Sequence, residues 1–281
     1  MIFTTRFAPS PTGPLHLGHA YSALLAHDMA RAAGGIFLLR IDDLDTSRSR
    51  PHWEVQIIDD LTWLGVTWDR PPHRQSARFD LYRAAILKYH ARTGAVYPCA
   101  CKRRDIEAAS AAPQEGVPQY GPDGPIYPGT CRGRKMESCT ESDALRLNLS
   151  KSLMGHPPAF TETGPRHAGL HEVTDQFMRD NVGDPVLARP GMAASYNLAT
   201  VIDDAADGIT DIIRGEDLFE ATFVQRFLQR ELAEGPPLYH HHRLIRDDQG
   251  KRLAKRDDAR AIAKYRAEGA TPADLRQMVE L

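Results

Sequence analysis

Residues 2–41 read IFTTRFAPSPTGPLHLGHAYSALLAHDMARAAGGIFLLRI, and this stretch decides the fold. Ile2–Phe7 reads as a short buried strand, followed by a turn punctuated by Pro9, Pro11, Gly13 and Pro14. Leu17–Ala33 places Tyr21, Leu24, Leu25 and Met29 at helical spacing and stops at Gly34-Gly35. Ile36–Ile41 is a continuous apolar run, hence a second buried strand. Strand, helix, strand in this order is a βαβ unit and implies a parallel sheet. His16 and His19 bracket Gly18 where the helix starts. A helix N-terminus presents unpaired N–H groups and positive partial charge, which suits phosphate. Gly18 lets a flat ring lie against the backbone, and the imidazoles can donate to phosphate oxygens as charge builds.

Beyond this unit, Trp53–Leu64 and Phe79–Thr93 read as amphipathic helices, and Val96 and Tyr97 lead into a cysteine-bearing region. Residues 105–142 are rich in Ala, Pro, Gly and Ser and cannot build a core alone. Ala144–Leu149 alternates like a strand, and residues 155–170 read as extended or looped. Structure reopens at Asp175–Asn181 and Val186–Ala188. Ser195–Asp203 and Ile209–Arg214 read as strands and Glu220–Leu232 as a helix, before a loop, a basic stretch and a helical tail. With 42% hydrophobic and 26% charged residues, disordered, collagenous and coiled-coil classes are excluded. A net charge of −2 argues against a generally basic nucleic-acid binder but leaves room for a local basic face. No apolar run is long enough to span a membrane and no apolar signal core opens the chain, so a cytoplasmic protein is expected.

Lys251-Arg-Leu-Ala-Lys-Arg256 follows the turn Asp247-Asp-Gln-Gly250. Leu253 and Ala254 interrupt the charges, and a loop presenting Lys255 can neutralise a polyphosphate during transfer. Together with His16-Leu-Gly-His19, this run resembles the paired HIGH and KMSKS signatures of class I aminoacyl-tRNA synthetases, with Lys255 at the functional lysine. Five further blocks narrow the resemblance to the glutamyl type: Arg6–Gly13 (RFAPSPTG), Leu39–Asp45 (LRIDDLD), Asp60–Asp69 (DLTWLGVTWD), Ser195–Ala199 (SYNLA) and Ile213–Asp217 (IRGED). Glutamyl-tRNA synthetases continue into helical anticodon-binding domains, whereas this chain stops about 25 residues after Lys255. It is therefore similar to the truncated group, the glutamyl-Q tRNA(Asp) synthetases.

That resemblance implies an α/β fold, a class I synthetase Rossmann-like parallel sheet with a loop-rich, zinc-containing insertion and no anticodon-binding domain. Residues 1–98 would form the first half of the catalytic domain and residues 99–190 the insertion with the zinc site and acceptor-binding region. Residues 191–281 would form the second half, with the KMSKS-like loop and a helical tail. The implied activity is that of a ligase. It would activate L-glutamate with ATP and Mg²⁺ without needing tRNA, then transfer glutamate to queuosine in the anticodon of tRNA(Asp), as a monomer. A short glutamyl-tRNA synthetase charging the 3′ end is the rival reading.

Glutamate brings two carboxylates and one ammonium. Guanidinium grips carboxylate bidentately, so Arg6 and Arg214 are the candidate cations, and the resemblance puts both in the glutamate pocket. It adds Tyr196 as a hydroxyl donor, Ser10 and the Ala8 backbone as polar lining, and a carboxylate for the ammonium. The family pattern Arg-Ile-Glu-Asp is here Arg40-Ile-Asp42-Asp43, so Asp42 is one methylene short. His16, Gly18, His19 and Lys255 would bind ATP. His16, His19 and Lys255 would stabilise charge as the α-carboxylate of glutamate attacks the α-phosphorus, with no covalent enzyme intermediate. Ala254 stands where many relatives have Ser, a loss of at most one hydrogen bond, about 1 kcal/mol.

All four cysteines lie between Cys99 and Cys139, which favours a local metal site over a disulfide framework. Cys99-Ala-Cys101 with a distant Cys131 is a fair zinc pattern, since thiolates suit a tetrahedral site. Composition alone would choose Cys139 as the fourth ligand; the resemblance favours Tyr127. The basic cluster Arg132, Arg134 and Lys135 beside this site is the expected tRNA-contacting surface.

Overall fold

In a computed structural model of the chain, residues 2–110, 120–122, 124–153, 158–232, 235–246 and 260–281 are described. The basic signature at 251–256, with Lys255, lies outside these residues. The elements run β1 (Thr4–Phe7), α1 (Leu17–Ala32), β2 (Ile36–Ile41), α2 (Pro51–Trp63), β3 (His73–Arg74), α3 (Phe79–Thr93) and β4 (Val96–Cys99). There follow α4 (Arg103–Ser110), β5 (Tyr120–Gly121), β6 (Gly124–Pro125), β7 (Ala144–Leu147), α5 (Leu149–Ser152), β8 (Ala159–Glu162), β9 (Gly169–Glu172) and α6 (Asp175–Phe177). The chain closes with β10 (Val186–Ala188), α7 (Tyr196–Asp207), β11 (Asp211–Gly215), α8 (Ala221–Leu232), β12 (Leu238–His242), α9 (Ile262–Ala267) and α10 (Pro272–Met278).

Strands β1, β2 and β3 pair in parallel, as the opening βαβ pattern predicts. Strands β11, β12 and β8 form a second parallel run, to which β9 adds an antiparallel edge. The two runs meet at a seam. The Thr4 amide donates to Thr210 Oγ1 at 2.8 Å, and the Thr210 amide donates to the Thr4 carbonyl at 2.9 Å. Alternation in β2 fills both faces. Phe37, Leu39 and Ile41 enter the core with α1 and α2, while Leu38 enters the larger core with α3, α7 and α8. Because Arg6 stands opposite Leu38 in the parallel register, it shares the α7 face with Arg40. A separate antiparallel sheet, β4–β7–β10, carries the cysteine region.

Three sequence expectations are corrected. Ser195–Asp203 is not a strand: Ser195 caps α7, its side chain accepting the Leu198 amide at 3.3 Å. Eight consecutive residues of that helix, Asn197–Asp204, are buried, so its polar positions Asn197, Thr200, Asp203 and Asp204, although at helical spacing, face the protein interior and not solvent. Residues 155–170 contain a sheet strand, β8, whose Phe160 and Glu162 are buried. The loop expected after α8 contains β12, disguised by the run Tyr239-His-His-His242.

Candidate active site

The carboxyl ends of β1, β2, β11 and β12 open into one cleft of about 410 Å³ at the seam between the two parallel runs. Ligands of open α/β sheets gather at such a switch point. Arg6, Ala8, His16, Gly18, His19, Asp42, Tyr196 and Arg214 all line it. The structure thus brings together eight positions that the sequence reading selected. Ser10 is exposed and does not line it.

At the start of α1 the two histidines form the helix cap. His16 Nδ1 accepts the Gly18 amide at 3.1 Å, and His19 Nδ1 accepts the His16 amide at 3.1 Å. A neutral imidazole that accepts at Nδ1 carries its proton on Nε2, so both rings are Nε2–H donors. Their centroids lie 3.8 Å apart. A Cβ on Gly18 would sit 3.0 Å from His16 Cε1, so glycine keeps this approach open. Ala261, just after the chain re-enters the described residues, bridges His16, and Ile245, just before it leaves them, lines the cleft. The stretch holding Lys255 is therefore flanked on both sides by residues at this site.

The β1–β2 side is a buried charge cluster. Arg6 binds Asp204 through two N–H donors, at 2.8 and 3.1 Å. Arg40 donates to Asp42 at 2.8 Å and to Asp204 at 2.7 Å. Arg78 holds Asp203 at 3.0 Å and Asp207 at 2.9 Å. Three guanidiniums thus meet four carboxylates, leaving an excess of one negative charge. Burial favours protonated Asp204, but the adjacent Arg6 and Arg40 outweigh it and hold its carboxyl below the ordinary range. At Asp42 burial prevails and pushes the carboxyl up to about 6, against the pull of Arg40.

The β11–β12 side differs. Arg214 is 6% exposed, and its partners are neutral: His241 Nε2 at 3.1 Å, Gln225 Oε1 at 2.6 Å, Thr222 Oγ1 at 2.8 Å and the Leu218 carbonyl at 3.3 Å. Gln225 donates its amide N–H to Asn197 at 3.0 Å, which turns its oxygen toward Arg214. Among the described residues no carboxylate lies within ion-pair distance of Arg214. Tyr196, 41% exposed at the first turn of α7, lines the same cleft. Sequence reasoning missed Asp204, Gln225, His241 and Glu162. Asp204 and Gln225 carry no motif and gain meaning only from tertiary contact, although the three consecutive histidines of β12 were a visible signal.

The second site lies at the end of β4. The sulfurs of Cys99, Cys101 and Cys131 fall within 4.8 Å of one another, with Cys101 and Cys131 3.6 Å apart. Zinc–sulfur bonds of about 2.3 Å in a tetrahedron place sulfurs about 3.8 Å apart, so the donor set fits zinc. The Tyr127 hydroxyl lies 3.3 Å from Cys99 Sγ and 3.7 Å from Cys101 Sγ, and accepts the Cys131 amide at 2.7 Å. Cys139 is exposed and bonds the Thr140 carbonyl, outside the group. Burial raises the Cys131 thiol, but hydrogen bonds from Tyr127 and the Ala100 amide outweigh it and bring it to about 7; burial pushes Cys101 up to about 11. The neighbouring basic cluster is partly spent internally. Arg132 binds buried Asp184 at 2.6 Å, and Arg134 binds Asp143 at 2.7 and 2.9 Å.

Comparison with known proteins agrees with this arrangement. Residues 3–148 and 168–281 match the catalytic-domain model of class I tRNA synthetases for glutamate and glutamine. A glutamyl-Q tRNA(Asp) synthetase of Rhodobacter capsulatus is 59% identical over 280 residues, covering 99% of each chain. One from Symbiobacterium thermophilum is 41% identical, covering 95% of this chain and 82% of the relative. A crystal structure of a glutamate tRNA ligase from Elizabethkingia meningosepticum, in complex with its amino acid, superposes with a TM-score of 0.77 at 28% identity. The chain covers 60% of that ligase's length. The methionyl-tRNA synthetase of Mycobacterium tuberculosis, at 13% identity and a TM-score of 0.59, shares the fold. The chain belongs to the class I tRNA synthetase family of ligases, glutamate and glutamine type, and within it to the glutamyl-Q tRNA(Asp) synthetases.

Proposed function

We propose that the cleft activates L-glutamate with Mg·ATP, without tRNA, and that the activated glutamate passes to queuosine in the anticodon of tRNA(Asp). The observation that carries this reading is the charge asymmetry of the cleft: the Asp42 carboxylate lines one wall, and Arg214, which pairs with no carboxylate among the described residues, lines the other. An amino acid with an acidic side chain matches that pattern. Its ammonium meets Asp42, its side-chain carboxylate meets Arg214 and the Tyr196 hydroxyl, and its α-carboxylate is left toward the start of α1. There the Nε2–H groups of His16 and His19 and the helix N-terminus meet phosphate oxygens, and Lys255 of the basic signature adds a cation. Attack of the α-carboxylate on the α-phosphorus releases pyrophosphate. A ring hydroxyl of queuosine then displaces AMP from the mixed anhydride. The choice of queuosine is supported by the relatives' names and similarity.

Glutamate transfer to tRNA(Asp) with and without queuosine tests the acceptor. Label only on the queuosine form, removed by excising the anticodon, is expected. Label at the 3′ end of tRNA(Glu) would make this a short glutamyl-tRNA synthetase.

Cys99, Cys101, Tyr127 and Cys131 would hold one zinc ion, which would cross-link a segment too poor in apolar residues to fold unaided. Metal analysis of the purified protein should find about one zinc per chain. Cys101→Ala should lose it and Cys139→Ala keep it; loss in both would break the ligand assignment.

A further inference from the structure

We propose that Glu162 and His241, which touch no substrate, are positioning residues that fix the guanidinium of Arg214 for a substrate carboxylate. The inference rests on the placement of Arg214 in the glutamate pocket argued above. Glu162 is 2% exposed and His241 1% exposed. Glu162 Oε2 lies 2.5 Å from His241 Nδ1, and its Oε1 accepts the amides of His241 at 2.8 Å and Gly164 at 2.6 Å. The carboxylate can only accept, so His241 must donate from Nδ1 and keep a lone pair on Nε2. That lone pair receives the Arg214 Nε–H at 3.1 Å.

The packing around the pair leaves it little choice. The Tyr239 ring is stacked within 3° of the His241 plane, and the Phe219 ring meets its edge with centroids 5.2 Å apart. A Cβ on Gly164 would sit 2.6 Å from Glu162 Oε1 and 2.4 Å from the His241 carbonyl, so the turn closes around the carboxylate only as glycine. Burial holds His241 below its ordinary range, and a neutral ring suits a neighbour that is already a cation.

This arrangement solves a specific problem. A carboxylate bound directly to Arg214 would orient it and also cancel its charge, as Asp204 does for Arg6. An imidazole placed between them transmits an acceptor and keeps the anion at a distance. The guanidinium is oriented, yet its charge stays available. Glu162 lies between the two matched segments of the family model, so that match does not cover it.

Glutamate-dependent ATP–pyrophosphate exchange tests the relay, with thermal melting to check folding. In Glu162→Gln, an amide N–H facing Nδ1 forces the His241 proton onto Nε2, donor against donor with Arg214. His241→Leu removes the acceptor, whereas His241→Gln restores one. Glu162→Gln and His241→Leu should raise the KM for glutamate about 10-fold or more, with kcat changed less than about 3-fold and the KM for ATP unchanged. His241→Gln should recover most of the loss. Equal damage in His241→Leu and His241→Gln, or an unchanged glutamate KM in folded variants, would overturn the relay. Arg214→Lys separates the two claims. If it raises the glutamate KM while the relay variants do not, only the relay fails. If it leaves that KM unchanged, the placement of Arg214 fails and the relay with it.

Discussion

The two walls of the cleft use the same side chain to opposite ends. On the β1–β2 wall, Arg6 and Arg40 are locked to Asp204 and Asp42 within 3.1 Å. On the β11–β12 wall, Arg214 is held as firmly by an imidazole, an amide, a hydroxyl and a carbonyl. The first wall spends its positive charge on architecture. The second holds a cation in place without neutralising it. Counting arginines in a pocket therefore says little about the ligand; the partner of each arginine decides what it can offer.

The contrast can be broken at several points. Asp204→Ala leaves two buried guanidiniums short of an anion and should cost about 3–5 kcal/mol of folding stability by denaturant melts. A loss under about 1 kcal/mol would show the first wall is not held by charge pairing. Glutamate activation should fall on acidification, because the Asp42 carboxyl is pushed up to about 6 and only its ionised form attracts ammonium. Affinity should hold above that pH and drop about tenfold per unit below it. In Asp42→Asn that inflection in the glutamate KM should vanish; its survival would place the ammonium elsewhere. The smallest effect is expected at Gln225→Ala, about 1.5–3 kcal/mol in stability, since its oxygen accepts from a buried guanidinium. A loss as large as that of Asp204→Ala would erase the distinction between the walls.

Much of this was legible in the sequence, and the reason is local. The βαβ opening, the His16–His19 turn and the cysteine spacing are written in neighbouring residues, and the structure brings eight selected positions into one cleft. The three sulfurs of Cys99, Cys101 and Cys131 are also gathered, with the Tyr127 hydroxyl 3.3 Å from Cys99 Sγ and Cys139 outside the group. What escaped is non-local. Arg6 and Asp204 lie 198 residues apart, and Glu162 and His241 79 apart, so no motif links them. Helix α7 escaped although Asn197, Thr200, Asp203 and Asp204 recur at helical spacing: these polar residues are buried, and the β-branched run Thr200-Val201-Ile202 reads as strand. Strands β8 and β12 escaped because one is four residues long and the other ends in three histidines.

The seam between Thr4 and Thr210 sets an order of events. Strand β1 must wait on this edge for a partner made 206 residues later. Until then its edge is open, and Thr4, Thr5 and Arg6 are polar side chains on that strand, a poor template for mispairing. Closing so long a loop is slow relative to forming the local βαβ unit. The β1–α1–β2 half of the cleft can thus assemble first, and the cleft becomes complete only when β11 and β12 have been made and paired.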